Sequence, residues 1–278
     1  MPIVNLPNVR LHVQELNPKG KETIVMVHGM FSNLAVYYFN IAPLLAKHFR
    51  VVLFDMKGHG MSEKVQTGYD LASMTNDLRD LMDALGIEKA HLAGYSYGGL
   101  VALKMATRFP ERVGKLAIIE GPDPSEQETL TIIDTYSKEF LIHYIENFAD
   151  TTRLLAGKRQ LEKNHRMYEF LFNETSIRSD MEGEKAFFND PAIAALRHET
   201  LLIYGEESNC IPSGRTLASR IRNATLVLAP GDHNVPVQQP EAIGKELEKF
   251  LETSPSPIGR NAPLPVARRL KPTEMDSG

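Results

Sequence analysis

Short apolar runs rich in β-branched residues alternate along this chain with longer stretches of helical period, and that alternation limits the fold more than any other feature. Thr23–Val27 (TIVMV) and Arg50–Phe54 (RVVLF) are continuous apolar runs, the pattern of strands buried on both faces. Val36–Ala46, between them, reads as a helix. Met74–Leu85 carries an apolar stripe at Leu78, Leu81, Met82 and Leu85 and is closed by Gly86. Strand Ala90–Ala93, helix Leu100–Phe109 and strand Lys115–Ile119 follow. Late in the chain come strand Leu201–Tyr204, helix Arg215–Ile221, strand Thr225–Leu228 and helix Pro240–Leu251. Val9–Glu15 alternates apolar with polar, as an antiparallel strand does. The series predicts an α/β fold, a mostly parallel sheet flanked by helices.

Residues 122–199 interrupt the pattern. They hold no strand-like run, and Ile133, Tyr136, Phe140, Leu141, Tyr144, Ile145 and Phe148 recur at intervals of three and four. This reads as a helical insertion between two strands, set as a lid over the carboxyl ends of the sheet where ligands bind. The expected organisation is therefore a core of 1–121 and 200–252, a helical cap over 122–199, and a proline-rich tail over 253–278. The tail holds five of the chain's 17 prolines and no helical period, so it is expected to be disordered, with docking to a partner as the alternative.

Composition removes several function classes. The 31 basic and 35 acidic residues leave a formal charge of −4, no electrostatic footprint for nucleic acid. The single cysteine, Cys210, forms neither an internal disulfide nor a multi-cysteine metal site, and its setting suggests an inert loop thiol. No apolar run has the length of a membrane helix, and the N-terminal stretch lacks the blocks of a signal peptide. A soluble, cytoplasmic protein with no membrane partner is expected.

The chemistry is concentrated in Gly94-Tyr95-Ser96-Tyr97-Gly98, which follows an apolar strand and opens a helix. That is the context of a nucleophile elbow, a strained turn that lifts a serine hydroxyl off the sheet. Serine needs a base. Of nine histidines, His233 is favoured, because Pro230-Gly231-Asp232-His233-Asn234 lies between the last strand and the last helix. His143 and His165, in the insertion, are candidates for touching substrate. An oxyanion needs donors. The Tyr97 amide is one, and Met30, in the turn His28-Gly29-Met30-Phe31, supplies the second. His28 is expected to tie down its loop. Phe31, with Phe140, Tyr144 and Phe148, suggests a hydrophobic acyl pocket, though the cap aromatics equally suit packing of the cap on itself.

These motifs, with the turn Asp55-Met56-Lys57-Gly58-His59-Gly60-Met61-Ser62, resemble the α/β-hydrolase superfamily over residues 9–252. The resemblance implies a cap domain at the insertion and a structural role for the Asp55–Ser62 turn. It also implies a triad acid just after the strand Leu201–Tyr204, in a Gly-x-x-Asp turn. Here that turn reads Gly205-Glu206-Glu207-Ser208, and a neutral serine cannot stabilise an imidazolium. Some branches, haloalkane dehalogenases and zearalenone-type lactonases among them, carry the acid after the preceding strand. Glu120 stands there, so it is assigned as the acid, with Glu206 or Glu207, or a weakened Ser–His dyad, as alternatives. A serine nucleophile disfavours the dehalogenase and epoxide-hydrolase chemistries, which use a carboxylate. The expectation is a serine hydrolase acting on a small-molecule ester, lactone or thioester, with no cofactor and no metal. The rivals are a carbon–carbon bond hydrolase of the same fold and a ligand receptor that has kept the fold without turnover.

Overall fold

The computed structural model describes residues 2–126, 166–253 and 267–270. Its strands are β1 (Ile3–Asn5), β2 (Arg10–Leu16), β3 (Thr23–Val27), β4 (Arg50–Phe54) and β5 (Ala90–Tyr95). They continue with β6 (Val113–Ile119), β7 (Thr200–Gly205), β8 (Ala224–Ala229) and β9 (Arg268–Arg269). They form one sheet in the order β1-β2-β4-β3-β5-β6-β7-β8-β9. The β1–β2 and β2–β4 pairs are antiparallel, and all the others are parallel. The α/β fold expected from the sequence is the fold observed.

The alternating faces of the strands feed two apolar layers. Val25 and Val27 join a core with Leu78, Leu81, Leu100 and Leu103 from helices Leu71–Ala84 and Tyr97–Arg108. Ile24 and Met26 point the other way and pack with Ile41, Leu45, Ile243 and Leu247. Helices cover both sides, which is why the central strands read as unbroken apolar runs. The chain runs from β3 to β4 on one side and then to β5 on the other. A crevice therefore opens beyond the carboxyl ends of β3 and β5, at the point where the strand order reverses.

Three local readings need correction. The stretch Val36–Ala46 is two short helices, Ala35–Tyr38 and Ile41–Leu45, because Pro43 has no N–H to bond the carbonyl of Phe39. The helix read from Met74 begins at Leu71, where Asp70 caps the N–H of Ser73 at 2.9 Å. The tail is ordered in part. Arg268–Arg269 adds a parallel edge strand to β8, and the Leu270 N–H donates to the Leu228 carbonyl at 2.8 Å. Two forces hold it there: Arg268 ion-pairs with the largely buried Glu246, and Leu270 packs on the apolar layer.

Between β6 and β7 the described residues form a helix at 166–174, helices Ile177–Gly183 and Pro191–Ala195, and no strand. No described helix is long and apolar enough to cross a membrane.

Candidate active site

The turn from β5 into helix Tyr97–Arg108 is as tight as the glycines imply. A Cβ on Gly94 would sit 2.2 Å from the Gly98 carbonyl oxygen, and one on Gly98 would sit 2.3 Å from that of Val27. Ser96 occupies the apex with φ 53° and ψ −123°, a backbone conformation that L-residues rarely adopt. Four described non-glycine residues have positive φ, and three of them, Phe31, Ser96 and Glu120, belong to this site. Backbone strain is concentrated where geometry matters to the site rather than spread over surface turns.

The Ser96 hydroxyl lies 3.0 Å from His233 Nε2, and His233 Nδ1 lies 3.1 Å from Glu120 Oε2. His233 comes from the loop after β8. That loop is drawn against the end of β7, where Gly205 has no side chain; a Cβ there would sit 2.3 Å from the Gly231 carbonyl oxygen. Behind His233, the Tyr95 hydroxyl donates to the His233 carbonyl at 3.0 Å, and the two rings lie 5.5 Å apart.

Glu120 is fully buried at the end of β6. Such a carboxyl group is costly unless its oxygens are bonded. Oε1 accepts the Gly205 N–H, and Oε2 accepts the Ser208 hydroxyl at 2.5 Å besides facing His233. Ser208 Oγ in turn accepts the Cys210 N–H at 3.0 Å. Glu206 instead pairs with Arg269 at 3.2 Å, and among the described residues the partners of His233 Nδ1 are Glu120 and Cys210. The structure thus brings Ser96, His233 and Glu120 together, and brings neither Glu206 nor Glu207 to them.

Cys210 Sγ stands 3.6 Å from His233 Nδ1. Burial alone would depress the imidazole pKa. The hydrogen bonds and charges of Cys210 and Glu120 outweigh burial and raise it above its ordinary value. The sequence around Cys210 suggests an inert loop thiol, whereas the fold puts the thiol beside the imidazole. Its only available signal was its place two residues past Ser208, in the loop after β7.

Met30 and Tyr97 both line the cavity that holds Ser96. Tyr97 is the first residue of its helix, so its N–H has no carbonyl one turn back. Gly29 permits the close approach: a Cβ there would sit 3.1 Å from Ser96 Cβ. His28 fixes the loop, with Nδ1 donating to the Gly29 carbonyl at 2.7 Å and Nε2 accepting the Met56 N–H at 2.9 Å. Burial keeps His28 neutral by lowering its pKa, and burial with the nearby His28 pushes His59 down to about 3. Asp55 completes the brace by accepting the Leu34 and Met61 N–H groups at 2.8 and 2.9 Å.

A cavity of about 280 Å³ opens over Ser96, lined by Met30, Phe31, Leu100, Met181, Glu184 and Cys210 among others. Phe31 stacks on Phe172 at 5.1 Å. Phe140, Tyr144, Phe148, His143 and His165 lie outside the described residues. Met181 and Glu184 escaped the sequence reading because nothing in their local pattern marks them as facing the crevice. Glu120, Cys210 and His233 also have ligand atoms within 4.8 Å of one another, as do His48, Glu248 and Glu252. Hydrogen bonds already account for the first group, and the second is a surface ion-pair cluster.

A hydroxyl, an imidazole and a buried carboxylate in line can draw a proton off the hydroxyl as it attacks. Residues 22–160, half of the chain, match the family described as the alpha/beta hydrolase fold. This chain belongs to the α/β-hydrolase family. The α/β hydrolase is 29% identical over 245 residues to the Caulobacter sp. (strain K31) protein named "Putative carbamate hydrolase RutD", covering 83% of this chain and 91% of that one. It is 28% identical over 254 residues to 2-hydroxy-6-oxo-6-phenylhexa-2,4-dienoate hydrolase of Burkholderia cepacia, covering 81% and 85%. Its fold matches the enol-lactonase from Burkholderia xenovorans LB400 with a TM-score of 0.71 at 22% identity, over 91% of this chain and 100% of that one.

Proposed function

We propose that this α/β hydrolase is a serine enzyme that cleaves a small carboxylic ester, lactone or thioester through an acyl-Ser96 intermediate. The observation that carries the reading is the unbroken line of hydrogen bonds from Ser96 Oγ through His233 to the buried Glu120. Ser96 Oγ attacks the carbonyl carbon while His233 Nε2 takes its proton. The oxyanion is held by the Met30 and Tyr97 N–H groups, and Glu120 stabilises the imidazolium. The bond to the leaving group breaks as that group takes the proton from Nε2. Water then attacks the acyl carbon and gives a proton to His233 Nε2, which passes it to Ser96 Oγ as the acyl–Oγ bond breaks and the carboxylic acid leaves. Met181 and Glu184, from the described part of the segment between β6 and β7, line the cavity and help to shield the intermediate from bulk water.

Support from relatives is of two kinds. The names carbamate hydrolase and enol-lactonase both describe cleavage of a carbonyl–heteroatom bond. The similarity to a dienoate hydrolase keeps a second reading as the rival, in which the same serine serves a dienoate substrate. Fluorophosphonate labelling followed by peptide mass analysis tests the shared first step. Wild type should carry the label on Ser96, and Ser96→Ala should carry none. Labelling that persists in Ser96→Ala, or its absence from folded wild type, overturns the serine reading. A panel of ester, lactone, thioester and dienoate substrates then separates the two chemistries.

A further inference from the structure

We infer that Glu184 is a specificity-determining residue, and that the preferred substrate carries a positively charged group, an ammonium or a guanidinium. The inference rests on the proposed serine chemistry and narrows its substrate class.

Glu184 follows helix Ile177–Gly183 and lines the same cavity as Ser96 and His233. It is the one carboxylate among the described lining residues, which include no lysine and no arginine. Most of its companions there are apolar: Met30, Phe31, Leu100 and Met181. One oxygen is accounted for, since Oε1 accepts the Leu71 N–H at 2.9 Å. The side chain has no ion pair with a described residue. A half-buried carboxylate against an apolar wall, with no ion-pair partner among the described residues, carries a desolvation cost that a cationic ligand group would offset.

Two further carboxylates stand near that end of the cavity, with Lys57 close enough to act on one of them, Asp70. Asp70 and Asp180 stand near Tyr97 together with Glu184. Burial first, and then these three carboxylates, raise the Tyr97 phenol well above its ordinary pKa. Asp70 and Asp180 have their own donors, in Ser73 and in Tyr69 and Ser176. Glu184 alone among the three faces the cavity. The same charge disfavours substrates bearing a carboxylate, which sets this cavity against dienoates and other acids.

The test is a set of matched esters. p-Nitrophenyl 4-(trimethylammonio)butanoate and p-nitrophenyl 5,5-dimethylhexanoate have the same shape and differ only in charge, and p-nitrophenyl hemiglutarate supplies the anion. A second series carries the same three charges on the alcohol side. In wild type, kcat/KM in at least one series should fall in the order cation, neutral, anion, with about tenfold between cation and neutral. In Glu184→Gln, whose amide oxygen can still accept the Leu71 N–H, the cation-to-neutral ratio should fall to near one. The ratio is internal to each preparation, so partial misfolding cancels. If the variant does not fold, the wild-type order decides. Equal use of cation and neutral by wild type in both series overturns the inference, as does a cation preference that survives in Glu184→Gln. Turnover of the neutral ester that persists in Ser96→Ala would instead overturn the serine reading, and this inference with it.

Discussion

The loops that leave β6 and β7 meet beside His233 and bring different groups there. The β6 loop supplies the carboxylate, Glu120, from a backbone held at φ 57°. The β7 loop supplies only donors to it, the Gly205 N–H and the Ser208 hydroxyl. The histidine loop follows β8, so β7 is its neighbour and β6 lies one strand further away. A glutamate, one methylene longer than an aspartate, suits the longer reach. The strand of origin can therefore change while the endpoint, an oxygen at His233 Nδ1, stays the same.

The largest expected effect breaks the β6 side. Glu120→Gln should lower kcat/KM by about 10³–10⁴-fold, since an amide cannot stabilise the imidazolium. Steady-state kinetics on a neutral ester would check this, and a loss under about tenfold would leave the β6 loop without its assigned role. A second variant exchanges the two loops. Ser208→Asp added to Glu120→Gln should recover at least about tenfold over Glu120→Gln alone, because the two positions meet at the same Glu120 oxygen.

Removing only the donor is milder. Ser208→Ala leaves Oε2 with one partner fewer in a dry site, so chemical denaturation should show a loss of roughly 1–3 kcal/mol, with about tenfold lower kcat/KM. The pH dependence gives a finer reading. His233 must be neutral to act as base, and its pKa is raised above the ordinary 6.5. Activity should therefore fall as pH drops through a value above that. Glu120→Gln and Cys210→Ala each remove a group that raises the pKa, so each should move the acid limb of kcat/KM to lower pH. The smallest effect concerns the outer edge of the β7 loop. Arg269→Ala breaks an exposed ion pair with Glu206 and should leave turnover within about twofold of wild type.

Much of this arrangement was legible in the sequence because it depends on local chemistry. The apolar runs mark the strands, and the glycines around Ser96 mark a turn that tolerates no side chain. His233 could be chosen from nine histidines because its loop sits between the last long strand and the last helix. Glu120 was found through an absence, the serine at 208. Features that depend on distant contacts were not legible. Cys210 acquires its place beside His233 only when the loops after β7 and β8 press together at Gly205. Glu184 reaches the cavity only through the packing of helix Ile177–Gly183 against the start of helix Leu71–Ala84. The edge strand Arg268–Arg269 lies in a polar, proline-rich stretch whose pairing is decided by the open edge of β8 and by Glu246.

The proposed role of Glu120, reaching in from β6, is to activate Ser96 through His233. Its most direct test is the second-order rate constant for fluorophosphonate inactivation, measured for wild type, Glu120→Gln and the Glu120→Gln/Ser208→Asp pair. Wild type should be inactivated rapidly, Glu120→Gln should lose about 10³-fold or more, and the double variant should recover part of the loss. Inactivation of folded Glu120→Gln at the wild-type rate would contradict it.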